Sequence, residues 1–81
     1  MEIAIVTKRL SELAEGETGI IRQLLTPDVG MRQRLMEMGF TTGTAVLVER
    51  YAPLDDPAEY KLLGYHVSLR RLEADSILVE Q

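Results

Sequence analysis

The stretch TPDVGMRQRLMEMGF, residues 26–40, decides the fold because it shows the pattern of one amphipathic helix. It opens on Thr26, Pro27 and Asp28, so that a hydroxyl typical of an N-cap precedes a proline and an acid. Proline favours the first helical position, and an acid in the first turn interacts well with the helix dipole. Gly39 marks the end, since glycine adopts the left-handed C′ conformation without steric cost. The stretch therefore predicts a helix that is capped by Thr26, starts at Pro27 and stops before Gly39.

The apolar residues of this helix recur at helical spacing. Met31, Leu35 and Met38 stand at i, i+4 and i+7 and so form one stripe. Such a stripe is more often core than a partner groove, and we assign Leu35 and Met38 to the core. Phe40, the only phenylalanine of the chain, is placed to fold back on the helix as the hydrophobic contact of its C-cap.

Short apolar or alternating runs surround the helix and predict strands, because β-branched residues are frequent in them and turn residues separate them. The predicted strands are residues 18–25, 44–51, 59–63, 65–69 and 76–80, and a helical turn covers 71–75. Residues 2–6 add a strand or a strand-like arm. Many short strands in a small chain favour a barrel, whose closure removes exposed sheet edges. The predicted fold class is therefore mainly β, a small β-barrel with one α-helix and a short helical turn.

Composition limits both the architecture and the chemistry. With 81 residues the chain, 1–81, forms a single domain, because two cores cannot be built from so few residues. There is no cysteine and one histidine, His66, which excludes a disulfide framework, a thiolate zinc site and a cysteine nucleophile. A net charge of −4 argues against nucleic-acid binding, since phosphate recognition usually needs a basic excess.

No segment predicts export or membrane insertion. The apolar run at residues 3–6 is far shorter than the ~20 residues that span a bilayer. A signal peptide carries its positive charges ahead of the apolar stretch, whereas Lys8 and Arg9 follow it. We therefore expect a cytoplasmic protein that does not insert into the membrane.

Residues suited to metal binding or catalysis are too few to predict a site. Near His66 only Asp55, Asp56 and Glu59 offer ligand atoms, whereas ferrous iron is well held by several histidines with carboxylates. We expect His66 to be exposed on a strand beside a solvated acidic turn whose aspartates hydrogen-bond their own backbone. No phosphate-binding loop and no nucleophile elbow occurs in the sequence. The sequence predicts no catalytic residue, no metal site and no cofactor, and hence no enzyme.

Several blocks of the sequence together resemble one family. Residues 34–40, RLMEMGF, with Gly43 shortly after, look like the signature helix and turn of FeoA, the small cytosolic component of bacterial ferrous iron uptake. Residues 53–57, PLDDP, resemble the loop of that family, and residues 64–79 match its C-terminal pattern in order and spacing. The resemblance extends over residues 8–80.

The resemblance implies an SH3-like β-barrel and a role in assisting FeoB, a GTPase-coupled ferrous iron permease of the membrane. The same domain also occurs in some metal-dependent transcriptional regulators, where it serves as an interaction module. Three features depart from the family pattern: Asp55 replaces a common glycine, Gln33 interrupts a run that is often basic, and residues 1–7 form an N-terminal extension or an added strand. That extension leaves self-association between chains open.

Candidate partner-binding residues come from the proline loop and from the arginines. We expect Leu54 and Tyr65 to flank the loop at the barrel rim, either as exposed apolar contacts or as simple loop packing. The candidates are Arg32, Arg34, Leu54, Asp56, Tyr65, Arg70 and Arg71.

The arginines have two interpretations. Because the implied partner hydrolyses GTP, one of them could act as a finger that stabilises the transferring phosphoryl group. The alternative is structural: Arg34 and Arg70 tie the helix and the final turn to acids such as Glu37 and Glu73, and the others are solvated.

The leading hypothesis is a non-enzymatic accessory protein of ferrous iron uptake. It would bind the cytosolic part of a FeoB-type transporter and modulate its assembly or activity. The alternative is a regulatory interaction domain, like those of metal-dependent transcriptional regulators, that never contacts the transporter.

Overall fold

The computed structural model describes residues 5–81, which form one antiparallel sheet of six strands and two helices. The strands are β1 Thr7–Arg9, β2 Thr18–Leu24, β3 Ala45–Tyr51, β4 Ala58–Leu62, β5 Tyr65–Leu69 and β6 Ile77–Glu80. The helices are α1 Val29–Glu37 and α2 Arg71–Ala74, and 3₁₀ turns cover Leu10–Glu12 and Pro53–Asp55. The strand order is β1-β6-β2-β3-β4-β5. The prediction of a mainly β fold with one helix and a short helical turn is confirmed.

Residues that alternate along the strands build the core, and two β-bulges bend the sheet around it. The ladder slips between Ile21 and Gln23 of β2, and again between Val48 and Arg50 of β3. A bulge bends its strand and increases the local twist, which lets a short sheet curl into a barrel. The buried apolar residues are Leu10, Leu13, Ile21, Leu35, Phe40, Val46, Val48, Ala58, Tyr60, Leu62, Leu69, Ala74, Ile77 and Val79.

The start of α1 differs from the prediction. The N-cap is Asp28, whose side chain accepts a hydrogen bond from the backbone N–H of Met31 at 3.0 Å. The predicted cap at Thr26 with Pro27 as first helical residue is therefore wrong. The Thr26 hydroxyl instead accepts a bond from the N–H of Asp28 at 3.1 Å, and Thr26 is buried. Both residue types cap helices well, so tertiary packing of Thr26 leaves the capping position to Asp28.

The end of α1 follows the prediction. Gly39 has φ +103°, its N–H donates to the carbonyl of Met36 at 3.0 Å, and the N–H of Phe40 donates to the carbonyl of Leu35 at 3.0 Å. These two bonds define a Schellman motif, which satisfies carbonyls that the helix end would leave unpaired. Phe40 and Leu35 are fully buried, and Met38 packs against the core as a partly buried side chain.

The N-terminal strand begins later than the sequence indicated. Of the predicted strand at residues 2–6, residues 2–4 lie outside the described residues, and β1 starts at Thr7. Thr7 pairs with Glu80 of β6, and the carbonyl of Val6 accepts a hydrogen bond from the N–H of Gln81 at 2.9 Å. The described end of the N-terminal extension therefore joins the sheet of its own chain.

We expect Asp28→Ala to lower the free energy of unfolding by about 1 kcal/mol, because it leaves the N–H of Met31 without its acceptor. Urea unfolding followed by circular dichroism measures this change. Asp28→Asn is the matched control, since asparagine caps a helix about as well as aspartate. Equal destabilisation by both substitutions would contradict the assigned cap.

Candidate binding surface

The loop between β3 and β4 presents an apolar side chain to solvent. Leu54 is 97% exposed, and both Leu54 and Asp55 have left-handed backbone, with φ of 72° and 64°. For residues other than glycine this conformation costs about 1–2 kcal/mol each. Two backbone hydrogen bonds close the loop. The N–H of Asp55 donates to the carbonyl of Ala52 at 2.8 Å, and the N–H of Ala52 donates to the carbonyl of Pro57 at 2.9 Å. A strained but closed loop thus fixes the position of Leu54.

A side chain of the loop connects it to α2. Asp56 Oδ1 accepts a hydrogen bond from the N–H of Arg71 at 2.9 Å. The expectation that Asp56 bonds its own turn is therefore wrong, because the folded chain brings the start of α2 within reach. Leu54, Asp56, Arg70 and Arg71 form one surface, here called the loop–α2 corner. Four of the seven predicted binding residues thus lie together.

A cavity of about 260 Å³ lies beside the corner. Its lining residues are Ser11, Glu12, Leu13, Tyr51, Asp55, Ala58, Tyr60 and Arg71. The Tyr51 hydroxyl donates to the carbonyl of Leu13, and the Ser11 hydroxyl donates to Asp75. Ser11 and Tyr51 could not be identified as site residues from the sequence, because only the tertiary fold brings the first turn against the end of β3.

Two tyrosine hydroxyls of the cavity lining have a raised pKa. Burial raises the pKa of the Tyr51 hydroxyl, an effect that the nearby Arg71 opposes and Asp55 reinforces. Burial also raises the pKa of the Tyr60 hydroxyl. Both phenols therefore stay neutral at physiological pH. Among the lining residues, Ser11 has no histidine beside it that could act as a general base.

Arg34 has the structural role that one of the two interpretations gave it. It forms an ion pair with Glu73, whose other carboxylate oxygen accepts a bond from the N–H of Arg70 at 2.9 Å. The Glu73 side chain is only 10% exposed. This pair joins α1 to α2, so the helix position and the corner are coupled. The predicted tie to Glu73 is present, and for Arg70 it is the backbone N–H that makes it.

Two further predicted residues lie away from the corner. Arg32 Nη2 donates to the carbonyl of Thr26 at 2.8 Å on the α1 side of the molecule. Tyr65 is half-exposed at the start of β5 and pairs with Leu62, whereas the proline loop adjoins the other end of β4 at Ala58. The prediction that Tyr65 flanks the proline loop is therefore wrong, because the β4–β5 hairpin carries the chain away from it.

The single histidine lies on an exposed strand, as expected. The His66 ring on β5 pairs with Glu49 of β3 and is far more exposed than its partner. The acidic turn at Asp55 and Asp56 is therefore not its neighbour, contrary to the prediction. Within residues 5–81 no three or more histidine, cysteine, aspartate or glutamate side chains cluster in a way that could hold a metal ion.

We expect Arg34→Ala to lower the free energy of unfolding by about 1–3 kcal/mol, because the nearly buried Glu73 carboxylate then lacks its ion-pair partner. Urea unfolding at neutral pH measures the effect. Arg50→Ala is the control: it breaks a pair with Glu59 in which both side chains are largely exposed, and such pairs contribute little. Similar losses from the two substitutions would contradict the structural role of Arg34.

Comparisons with known proteins place this geometry in a family. A family model described as the FeoA domain matches residues 8–81. The Fe(2+) transport protein A/Fe(2+) transporter FeoB fusion protein of Porphyromonas gingivalis is 44% identical over 72 residues. That match covers 89% of this chain and 8% of the relative, so the chain spans a small part of the curated protein it matches.

Solved structures agree with the family match. The FeoA-like protein from Clostridium acetobutylicum has a TM-score of 0.82 and 34% sequence identity, with 90% of this chain and 84% of that chain covered. FeoA of Stenotrophomonas maltophilia, solved in complex with zinc and described as an SH3 domain protein, has a TM-score of 0.76 and 26% identity over 86% of each chain. The barrel is therefore SH3-like, as predicted, and the chain belongs to the FeoA family.

Proposed function

We propose that this chain is a non-enzymatic accessory protein of ferrous iron uptake that binds the cytosolic part of a FeoB-type transporter. The relative from Porphyromonas gingivalis, by its name, joins a transport protein A and a FeoB transporter in one chain. Two parts that are covalently joined in one organism can act as separate, associating chains in another. The binding is expected to modulate the assembly or the GTPase cycle of the transporter.

The observation that carries the proposal is the exposure of Leu54. The apolar Leu54 side chain is 97% exposed to water, which hydrates it unfavourably. A partner that covers this side chain removes that unfavourable hydration. Because its loop is already closed by hydrogen bonds, little conformational entropy is lost on binding. Backbone strain at an exposed apolar residue is also typical of functional sites.

The loop–α2 corner also carries charged side chains, those of Asp56, Arg70 and Arg71. Outside the corner, Arg34 is bound to Glu73, and Arg32 bonds the carbonyl of Thr26. Arg71 forms no ion pair among the described residues and lines the cavity. Its side chain is therefore placed to reach a carboxylate or a phosphate of a partner.

Within residues 5–81 no helix has the length and apolar character needed to cross a bilayer. We propose that the chain acts in the cytoplasm and reaches the membrane through its partner.

We expect Leu54→Asn to weaken binding to the detergent-solubilised ferrous iron transporter of the same cell by about tenfold or more, as loss of a central apolar contact does. Asparagine tolerates a positive φ, so the loop should keep its conformation. The measurement is co-purification of the tagged chain with the transporter, with the rate of GTP hydrolysis read in parallel.

Leu63→Asn is the matched control, because Leu63 is also exposed, at 66%, and also has a positive φ, of 52°. It should leave binding unchanged. Equal effects of the two substitutions would mean that the corner is not the docking surface. If the unmodified chain does not associate with the transporter at all, the regulatory interaction domain becomes the favoured function.

A further inference from the structure

A groove of about 240 Å³ lies between β2 and α1, away from the loop–α2 corner. Its lining residues are Ile21, Arg22, Gln23, Leu24, Arg32, Met36, Phe40, Thr41 and Thr42. This volume is below the 300–1,000 Å³ that is typical of pockets for drug-sized ligands. It therefore suits one side chain of a partner protein better than a cofactor.

The β-bulge of β2 creates the groove. β3 pairs with residues 18–20 of β2. The last backbone hydrogen bonds on that side of β2 are the two that Ile21 forms with Thr44 and Gly43. Arg22 stands in the bulge, and beyond it Gln23 and Leu24 pair with β6 on one side, while the groove lies on the other. Thr42 Oγ1 donates to the carbonyl of Arg22 at 3.2 Å and fixes the bulge. Bulges often re-aim a side chain next to a binding site.

The floor of the groove is apolar. Ile21 and Phe40 lie beneath the surface and are fully buried, so the apolar surface that a partner can reach comes from the partly buried Leu24 and from Met36. Met36 is 51% exposed and stands one helical turn after Arg32 on the same face of α1. A methionine wall adapts to side chains of different shape, because its thioether is flexible and polarizable.

The rim of the groove is positive, although the whole chain has a net charge of −4. Arg22 and Arg32 line it, and none of the lining residues is a carboxylate. Arg22 forms an ion pair with Glu80, with 3.1 Å between Arg22 Nε and Glu80 Oε1. Arg32 donates to a neutral acceptor, the carbonyl of Thr26, and keeps further N–H groups available. Among the described residues Arg32 forms no ion pair, so its charge lies beside an apolar surface without an acidic partner there.

We propose that this groove binds a partner segment in which an apolar side chain stands next to a carboxylate. The apolar side chain packs against Met36 and the partly buried Leu24, and the carboxylate accepts hydrogen bonds from the Arg32 guanidinium, assisted by Arg22. This second binding surface goes beyond the proposed docking on the transporter, and it stands even if the loop–α2 corner has another partner.

The test uses a seven-residue peptide with a central phenylalanine between two glutamates in a glycine–serine background. Titrated into the ¹⁵N-labelled protein, it should shift amide resonances of residues 22–24, 36 and 40–42 and leave residues 54–57 unchanged. A peptide with lysines in place of the glutamates should bind far more weakly, although the net charge of the protein favours it. A peptide with alanine in place of phenylalanine should also bind weakly.

Two substitutions and a control complete the test. Arg32→Gln should lower the affinity for the acidic peptide by about tenfold. Met36→Asp, which adds a carboxylate to the groove, should abolish binding of that peptide. Arg50→Gln removes the same charge on β3 and should have no effect. Thermal unfolding checks that each variant is folded.

Three results would overturn the proposal. They are an affinity for the lysine peptide equal to that for the acidic peptide, amide resonance shifts that lie outside the groove, and no resonance shift at millimolar acidic peptide. Concentration-dependent changes at the groove without any peptide would also overturn it, because they would show that a second copy of the chain occupies the site.

Discussion

The burial of Phe40 against Leu35 is the interaction on which the rest of the structure depends. A chain of 81 residues without cysteine has one thin apolar core and no disulfide to reinforce it. Burying one phenylalanine contributes up to about 3 kcal/mol, a large fraction of the stability of such a domain. The Schellman motif at Gly39 turns the chain so that Phe40 enters the core while α1 stays above it. The position of α1 in turn fixes the loop–α2 corner and the groove beside β2.

The helix holds two different surfaces in place. Through Arg34 it is joined to Glu73 of α2, and the N–H of Arg71 at the start of α2 is bonded to Asp56 of the proline loop. On its other side, α1 carries Arg32 and forms one wall of the groove beside β2. A rigid scaffold that fixes exposed loops and rims is suited to binding.

Local signals predicted the helix end and the core stripe, because Gly39, Leu35 and Phe40 act within one or two turns of chain. The predictions were wrong where two local signals competed for one position, or where the position of a residue depended on the tertiary fold. Thr26 and Asp28 both cap helices, and only the burial of Thr26 separates them. Tyr65 was placed beside the wrong loop because its distance from that loop depends on the direction of the hairpin. The groove was not predictable, since a bulge depends on register between strands that are far apart in sequence.

The central claim is that the loop–α2 corner is the docking surface of this FeoA-family chain. Hydrogen–deuterium exchange of the chain, free and bound to the detergent-solubilised transporter, tests it most directly, because each amide reports its own protection. We expect slower exchange in the complex at residues 54–56 and 71–75, with the remaining amides unchanged. Protection confined to other residues, or a complex in which exchange at the corner is unaltered, would contradict it.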